Sequence, residues 1–386
     1  MFNFTALPPL SLYIHVPWCV RKCPYCDFNS HKASDNLPEQ AYVDALIADL
    51  AQECPSVWGR TVQSIFIGGG TPSLFSAEAY DRLFSGIRAL LPLKADAEIT
   101  MEANPGTFEA ARFRDYRQLG INRLSIGIQS FNNAALERLG RIHNGNEAQR
   151  AVEIAYQAGF DNVNLDLMFG LPGQTEAEAI TDVTTAIALQ PQHISYYQLT
   201  IEPNTLFYQQ PPTLPDDDPI IDWQEGNQAR LADAGYLQYE VSAYAQKGKQ
   251  CRHNVNYWQF GDYLGIGAGA HGKISDAATQ TITRRVKQKQ PQAYLDKAHD
   301  SQVLLKTELL HARDIGFEFM LNALRLTNGF PTPLFQQHTG IPLGQFNEAL
   351  QQAEAMELLE YDVRHIRPTD KGKRYLNTLI ELFLPE

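Results

Sequence analysis

Three cysteines near the start of the chain constrain its fold and chemistry more than any other feature. Cys19, Cys23 and Cys26 follow an apolar segment at residues 12–16 with the spacing C-x3-C-x2-C. Thiolates this close together in one loop can all reach a single soft metal centre. A cubane iron–sulfur cluster takes four ligands, usually cysteines. Three cysteines leave one iron open to an exchangeable ligand, which favours catalysis or small-molecule binding over electron storage.

Other uses of clustered cysteines fit the sequence less well. A structural zinc site needs a fourth Cys or His, and of the nearby His15 and His31 the first lies within the predicted strand. A c-type heme site reads C-x-x-C-H, but Asp27 follows Cys26. A thioredoxin-like pair is disfavoured by the third cysteine and by the lack of an upstream βαβ unit. Three unrelated buried cysteines are the remaining alternative.

Composition is that of an ordinary globular protein. Of 386 residues, 44% are hydrophobic and 20% charged, enough for one large and one smaller core. The net charge of −12 disfavours nucleic acid as a partner, because nonspecific binding requires a basic surface. The five cysteines form no even disulfide framework, which indicates a reducing compartment. We see neither a signal peptide nor an apolar span of about 20 residues, so we expect a cytoplasmic protein.

Short apolar segments alternate with helical patterns through the first half of the chain. Strands are predicted at residues 12–16, 64–67, 98–102, 123–128, 162–167 and 193–199, and helices at 39–53, 77–91, 108–119, 147–158 and 176–189. Nearly continuous apolar strands are typical of a parallel sheet covered by helices. Six βα units are fewer than the eight of a closed TIM barrel. The pattern therefore predicts an α/β fold with an open (β/α)6 arc, that is, a partial barrel.

Polar residues follow several of these strands. The segment Gly68–Thr71 follows the second strand, and its bare backbone lets a ligand approach closely, although a glycine triplet alone is more often a plain turn. Glu102 ends the third strand, and Gln129, Arg141 and Asp166 follow later strands or end them. A single polar residue at a strand end more often makes an ordinary hydrogen bond within a loop than binds a ligand. Several on one rim of parallel strands predict a pocket.

The cysteine motif, with an aromatic residue before its last cysteine, resembles the signature of the radical S-adenosylmethionine (SAM) superfamily. In that superfamily SAM binds the open iron, and an electron from the cluster cleaves it to a 5′-deoxyadenosyl radical. The resemblance implies a partial (β/α)6 radical SAM barrel, a [4Fe–4S] cluster on Cys19, Cys23 and Cys26, SAM as cofactor, and an electron donor if the cluster is reduced.

Further segments, spread over essentially the whole chain, narrow this resemblance. I-G-G-G-T-P-S, E-A-N-P-G, R-L-S-I-G-I-Q-S-F, L-G-R-I-H and L-D-L-M-F-G-L-P-G-Q-T are similar to the branch of oxygen-independent coproporphyrinogen III oxidase and the heme chaperones of the HemW family. The resemblance implies SAM-binding roles for eight residues: Tyr13, Gly69 and Glu102 at the cluster-bound SAM, and Gly70, Thr71, Gln129, Arg141 and Asp166 at positions that hold a second SAM in the oxidase.

Two departures favour the chaperones over the oxidase. Phe28 stands where the oxidase has a further cysteine, and the first strand starts at about residue 11, without the oxidase's longer N-terminal segment. In addition, H-N-V-N-Y-W at residues 253–258 resembles the heme-binding motif H-N-x-x-Y-W of the chaperones. His253 offers an imidazole to heme iron beside Tyr257 and Trp258. The alternative is a loop histidine with both aromatic rings packed as core.

The pattern changes beyond Gly272. Helices are predicted at residues 306–326, 333–338 and 343–355, strands at 358–361 and 365–368, and a final helix up to residue 383. Helices followed by a small hairpin indicate a winged-helix-like module. We therefore divide the chain into a radical SAM core with the heme motif, residues 1–272, and a small α+β winged-helix-like C-terminal domain, residues 273–386. Its Lys and Arg are scattered, which favours packing or partner docking over DNA binding.

The resemblance implies a heme chaperone that binds heme and transfers it to acceptor hemoproteins, with peripheral membrane contact where an acceptor is membrane-bound. The alternative is an enzyme, an oxygen-independent coproporphyrinogen III oxidase, which decarboxylates the propionates of its substrate by hydrogen abstraction. A third and weaker hypothesis is a redox sensor that uses the cluster alone. Cys54 and Cys251 are interpreted as structural cysteines, with Cys251 a second candidate thiol at the heme motif.

Overall fold

The structure, a computed structural model, describes residues 2–4, 6–34, 36–106 and 110–385. Over these residues a twelve-stranded mixed sheet forms the body of the protein. Its strands in chain order are β1 Leu10–Val16, β2 Val62–Gly69, β3 Leu93–Ala103, β4 Arg123–Gln129, β5 Val163–Phe169, β6 His193–Gln198, β7 Leu237–Glu240, β8 Ala243–Ala245, β9 Asp262–Ile266, β10 His271–Asp276, β11 Thr281–Lys287 and β12 Leu304–Leu309. Their spatial order is β12-β11-β10-β9-β1-β2-β3-β4-β5-β6-β8-β7.

The six predicted strands are β1 to β6, and they pair in parallel in chain order. This confirms the predicted six-stranded arc of a partial barrel. A seventh parallel strand, β9, pairs with the free side of β1. Antiparallel strands extend both edges: β10 to β12 beyond β9, and β8 with β7 beyond β6.

The two faces of β1 show why the arc has a polar interior. Leu12 and Ile14 are fully buried in the main hydrophobic core. The alternate residues point to the opposite face, because side chains alternate along a strand. There Ser11 Oγ lies 2.8 Å from Ser64 Oγ on β2, and the Tyr13 hydroxyl lies 2.8 Å from His15 Nδ1. The strands therefore bury one apolar face and enclose polar groups on the other.

Helices cover the outside of the sheet. They are α1 Glu39–Glu53, α2 Ala77–Leu90, α3 Phe113–Gln118, α4 Asn133–Arg138, α5 Gly145–Gln157, α6 Glu176–Ala188, α7 Leu206–Gln209, α8 Asp217–Asp233, α9 Arg252–Trp258 and α10 Pro291–Lys297. Capping boxes start α5 at Asn144 and α6 at Thr175, which fixes where both helices begin. Of the helix predicted at 108–119, residues 108 and 109 lie outside the described residues.

The C-terminal part has its own hydrophobic core. Its elements are α11 Ala312–Ala323, β13 Phe330–Pro331, α12 Thr332–Thr339, α13 Asn347–Ala355, β14 Leu359–Tyr361, β15 His365–Pro368, α14 Asp370–Arg374 and α15 Leu376–Glu381. β13, β15 and β14 form a small antiparallel sheet beside the helices, as expected for a winged-helix-like module.

The helix predicted at residues 306–326 is wrong over its first four residues. These residues belong to β12, which pairs with β11 from Thr283 opposite Leu309 to Lys287 opposite Leu304. Pairing with a distant strand overrides the helical pattern here. The domain division at residues 272–273 falls within β10, which continues the main sheet, and it stays a prediction. Among the described residues, no helix combines the length and apolar character needed to cross a bilayer.

Candidate functional site

A cavity of about 500 Å³ lies inside the arc. Residues from the ends of strands as distant as β2 and β6 line it, so the sheet curves around this space. Ten of the twelve predicted site residues line the cavity: Cys19, Cys23, Cys26, Gly69, Gly70, Thr71, Glu102, Gln129, Arg141 and Asp166. Tyr13 and His253 are not among its lining residues.

The cysteine loop is held against the end of β2. Trp18–Cys19 pairs in parallel with His31–Lys32. The N–H of Gly70 donates to Val16 O and the N–H of Thr71 donates to Trp18 O, both at 2.7 Å. These bonds place Cys19 beside the glycine segment on the cavity wall.

The three thiols suit a cluster better than a single ion. Among the described residues, no three His, Cys, Asp or Glu side chains converge closely enough to hold one metal ion. A cubane needs no such convergence, because each thiolate binds a different iron atom. Burial raises the pKa of the Cys19 and Cys26 thiols, so iron would have to deprotonate both. Arg141 Nη1 donates to Cys23 Sγ at 3.5 Å, which ties the cysteine loop to the opposite wall of the cavity.

The glycine segment leaves no room for side chains. Gly69 has φ +112°, and a Cβ there would lie 2.4 Å from His15 Cε1. A Cβ on Gly70 would lie 2.5 Å from the carbonyl oxygen of Trp18. Both contacts are far below van der Waals distance, so only glycine fits. Gly69 and Gly70 also line the cavity, so a ligand can approach their main chain closely.

Glu102 joins β3 to the glycine segment, because its Oε2 accepts the N–H of Gly69 at 3.0 Å. Burial raises the pKa of Glu102 to about 7, the negative charge of Asp166 adds to the rise, and the Gly69 N–H opposes it. The carboxyl is thus close to half-ionised at neutral pH. A cationic ligand in the cavity would stabilise its charged form.

Asp166 is fixed by its neighbours. Its carboxylate accepts from Asn164 Nδ2 at 2.8 Å and from Ser125 Oγ at 3.3 Å. Asn164 Oδ1 in turn accepts from Ser195 Oγ at 3.1 Å. Burial raises the pKa of Asp166, and these hydrogen bonds oppose the rise. The Asp166 carboxylate is therefore fixed in position between neighbouring strands.

Arg141 and Gln129 are positioned by residues that the sequence did not single out. Arg141 Nη2 donates to Asn104 Oδ1 at 2.8 Å and to Gly127 O at 2.7 Å. Gln129 has φ +69° at the end of β4, and its Oε1 accepts from the Tyr197 hydroxyl at 2.9 Å. Asn104, two residues after Glu102, could have been found from its place at a strand end. Tyr197 could not, because an aromatic residue in a strand usually signals core.

Tyr13 is hydrogen-bonded to His15 and does not line the cavity. His15 Nε2 lies 2.8 Å from Asn29 O, which can only accept, so this nitrogen carries the proton. Nδ1 is then the acceptor for the Tyr13 hydroxyl at 2.8 Å. Tyr13 thus orients His15 behind Gly69, and its contact with SAM stays a prediction.

His253 lies at the other end of the arc from the cysteines. The N–H groups of Arg252 and His253 donate to Glu98 Oε1, and Asn256 Nδ2 donates to Ser11 Oγ at 3.0 Å, so α9 packs on the amino end of β1 and the middle of β3. The imidazole is 5% exposed and stacks on Phe66, with ring centroids 5.0 Å apart. Its Nδ1 has no hydrogen-bond partner among the described residues.

Two other residues of the H-N-x-x-Y-W segment do reach the cavity. Asn254 and Trp258 both line it, so the cavity extends from the cysteines to α9. Burial lowers the pKa of His253 to about 3, with the charge of Arg123 adding to the effect, so the ring is neutral. Cys251 is fully buried and burial raises its pKa to about 12, as expected for a structural cysteine.

Comparison with known proteins agrees with this arrangement. Residues 13–185 match the radical SAM superfamily, and residues 310–375 match the HemN C-terminal domain. The chain is 51% identical to the heme chaperone HemW of Escherichia coli over 380 residues, which cover 98% of this chain and 99% of that protein. It is 50% identical to the heme chaperone HemW of Haemophilus influenzae over 384 residues, with the same coverage. The chain belongs to the HemW family.

This chain also shares its fold with a solved structure. Coproporphyrinogen III oxidase (HemN) from Escherichia coli, described as a radical SAM enzyme, matches with a TM-score of 0.83 over 98% of this chain and 90% of that chain. The identity is 24%, so this similarity is one of fold. The protein therefore has a radical SAM core followed by a HemN-type C-terminal domain. Membership of the radical SAM superfamily implies a [4Fe–4S] cluster and SAM.

Proposed function

We propose that this protein is a heme chaperone that binds heme and transfers it to acceptor hemoproteins, with a [4Fe–4S] cluster on Cys19, Cys23 and Cys26. The observation that carries the proposal is the shared cavity: Asn254 and Trp258 of the heme motif line the same space as the three cysteines. Full-length similarity to proteins named heme chaperone HemW supports it.

When bound, the cluster supplies an iron with one exchangeable position and a redox centre. The protein's own groups would bind and orient SAM beside it. Gly69 and Gly70 present main-chain groups, and Glu102 offers a carboxylate to ribose hydroxyls or to an ammonium group. Arg141 and Asp166 lie on the same cavity and serve an adenosyl ligand in this proposal.

Heme ligation by His253 requires a local rearrangement. A neutral imidazole is the form that ligates iron, and Nδ1 is free of hydrogen bonds among the described residues. However, the ring is covered by Phe66 and lies 6.4 Å, centroid to centroid, from Tyr13. We therefore expect α9 or Phe66 to move when heme binds. The proposal also includes a cytoplasmic location, an electron donor for the cluster, and peripheral membrane contact where the acceptor is membrane-bound.

A second candidate function is oxygen-independent coproporphyrinogen III oxidation, which the fold similarity to the oxidase favours. Against it, Phe28 occupies the position of the oxidase's additional cysteine in the cluster loop, where it is 56% exposed.

One pair of assays separates the two functions. Anaerobically reconstituted protein is incubated with coproporphyrinogen III, SAM and a chemical reductant, and the tetrapyrroles are separated by chromatography. In parallel, the heme-loaded protein is mixed with an apo-hemoprotein and heme transfer is followed by its absorption. We expect heme transfer without decarboxylation. Decarboxylation that disappears in a Cys23→Ser variant, together with no heme transfer, would establish the oxidase instead.

A further inference from the structure

Arg123 is a buried cation inside the arc. It is the first residue of β4, its side chain is 2% exposed, and it lines the cavity. Its Nε is buried without a hydrogen-bond partner, and no ion pair joins its guanidinium to a carboxylate within the part of the chain that the structure describes. Burying an unpaired charge is strongly unfavourable. Glu98 and Asp166 favour its charged form electrostatically, but neither forms a hydrogen bond with its Nε, so this donor is available to a ligand.

Other hydrogen-bond donors near α9 are also unsatisfied. Trp258 Nε1 and Arg325 Nε are buried without partners among the described residues, and both residues line the cavity. The Arg325 guanidinium lies over the Trp258 ring, 4.4 Å from its centroid. Arginine and tryptophan side chains can only donate hydrogen bonds. Within the described part of the chain, three unpartnered donors at this end, Arg123 Nε, Trp258 Nε1 and Arg325 Nε, thus share the cavity with one unpartnered carboxylate oxygen, Glu240 Oε2. Donors are in excess at this inner end, which suits a ligand group that only accepts.

The neighbouring carboxylates do not meet this demand. Glu98 and Asp166 both act on Arg123 electrostatically. Glu98 Oε1 already accepts the N–H of Arg252 at 2.9 Å and that of His253 at 3.4 Å, and the Asp166 carboxylate accepts from Asn164 and Ser125. Glu240 lies 3.6 Å from Arg325 Nη2, which is an ion pair with that residue and not with Arg123. A small neutral ligand would bring no negative charge to pair directly with the guanidinium. A carboxylate matches its fork of donors and its charge.

We propose that the inner end of the cavity is a carboxylate-binding site in which Arg123 pairs with a propionate of the bound tetrapyrrole, with Arg325 and Trp258 as further donors. The choice of a propionate rests on the function proposed above, in which heme occupies this cavity. The site lies at α9, and the SAM-binding groups Gly69 and Glu102 lie at the carboxyl ends of β2 and β3. A tetrapyrrole would therefore be anchored by its acidic edge, away from the cluster.

The test compares free and esterified propionates. Hemin and hemin dimethyl ester are titrated into the full-length, cluster-reconstituted protein, and the ratio of the two dissociation constants is measured. We expect wild type to bind hemin about 10-fold or more tightly than the ester, the scale of a lost charged hydrogen bond. Arg123→Met should reduce this ratio several-fold. Because esterification alters hydrophobicity equally for every variant, the change in ratio reports the carboxylate contact alone.

The control is Arg150→Met, which removes an arginine paired with Glu153 on the exposed surface of α5 and should leave the ratio unchanged. Thermal unfolding and cluster absorption establish that each variant is folded. If Arg123→Met does not fold, Arg123→Lys keeps the charge without the fork and should give an intermediate ratio. A ratio equal to that of wild type in the folded Arg123 variant overturns the site.

A second ligand separates this inference from the proposed function. Coproporphyrin III, which carries propionates but no iron, is titrated alongside its tetramethyl ester. If hemin does not bind but coproporphyrin III does, with an Arg123-dependent preference for the free acid, the carboxylate site stands and the heme chaperone fails. If wild type shows no preference for the free acid with either porphyrin, the carboxylate site is overturned, whether or not the protein transfers heme.

Discussion

Glu102 Oε2 accepts the backbone N–H of Gly69 at 3.0 Å, and this bond joins the ends of β3 and β2 next to the cluster cysteines. Two residues with proposed roles at SAM are thus bonded to each other. The bond opposes the effects of burial and of Asp166, which together raise the pKa of Glu102 to about 7. The charge of Glu102, and with it the affinity for a cation, should respond to pH in the neutral range.

The first prediction is that SAM affinity rises with pH through this range. SAM carries a sulfonium, so it binds the ionised carboxylate better and displaces the proton from Glu102. Affinity should therefore fall as pH drops from about 8 to 6. Glu102→Gln should weaken binding at pH 8 by about 1–3 kcal/mol and flatten the pH dependence. Isothermal titration calorimetry measures both, with exposed Glu137→Gln as control. Unchanged affinity in Glu102→Gln would remove this residue from the site.

The same residue should also affect folding. A carboxyl with a folded pKa of about 7 and an unfolded pKa of about 4.3 binds more protons in the folded state between these values. The folded protein is then stabilised by low pH, and this contribution is lost as pH rises toward 7. Glu102→Gln cannot ionise and so does not lose this stability as pH rises. Its melting temperature should therefore exceed that of wild type at pH 8 and approach it at pH 5. A variant less stable than wild type at pH 8 would show that the ionised carboxylate supports the fold.

The glycine segment gives a prediction about stability. Gly69→Ala places a Cβ at φ +112° and 2.4 Å from the His15 ring, so it should destabilise the protein by about 2 kcal/mol or more. Gly173 also has a positive φ, +62°, but no atom lies within 4 Å of its Cβ position. Gly173→Ala should cost about 1 kcal/mol, from backbone strain alone. Urea unfolding compares the two, and equal losses would contradict the close packing at Gly69.

The cluster ligands are tested by serine substitutions. Cys23→Ser should lose the visible cluster absorption after anaerobic reconstitution, because a cluster with two cysteine ligands is poorly held. Cys54 is buried at the end of α1, with Sγ 3.8 Å from Leu90 O, so Cys54→Ser should keep the cluster. Iron and sulfide analysis gives the stoichiometry. A complete cluster in Cys23→Ser would refute the assignment.

Strand order and the cavity rim could be predicted because the rim residues Glu102, Gln129 and Asp166 lie within or at the end of apolar strands. The central residues of β1 to β6 are mostly apolar, which predicts buried strands. Parallel pairing then brings the carboxyl ends of these strands together. The cavity rim at Glu102 and Asp166 followed from that alone. The antiparallel strands β10 to β12 were not predicted, because their pairing depends on distant partners and not on local pattern.

The inner end of the cavity was harder to predict. Arg123 was missed because an arginine at the start of a strand usually faces solvent. A signal existed, since Arg123, Ser125 and Gln129 alternate with fully buried Leu124 and Ile126, which places the polar residues on one face.

The place of α9 could not be predicted either. Its contacts with Ser11 and Glu98 join segments far apart in the chain. The motif itself gives no sign that His253 faces inward while Trp258 reaches the cavity.

The last prediction concerns His253 as a heme ligand. His253→Leu removes the imidazole but keeps an apolar side chain against Phe66, which limits the cavity that alanine would leave. Hemin added to wild type should give a Soret band that this variant shifts or abolishes, because an axial imidazole sets the spin state and the affinity. The cluster should survive, since α9 packs on the amino end of β1 and the cysteines follow the carboxyl end of that strand.

The matched control is His338→Leu. His338 is similarly buried, 7% exposed against 5% for His253, but its Nδ1 is bonded to Gln259 O and it lies in the C-terminal core region. This variant should show the Soret band of wild type. Stoichiometric hemin binding with an unaltered Soret band in His253→Leu would exclude His253 as the ligand. The heme iron would then have to bind another group of the cavity, while the propionate contact at Arg123 would remain open to its own test.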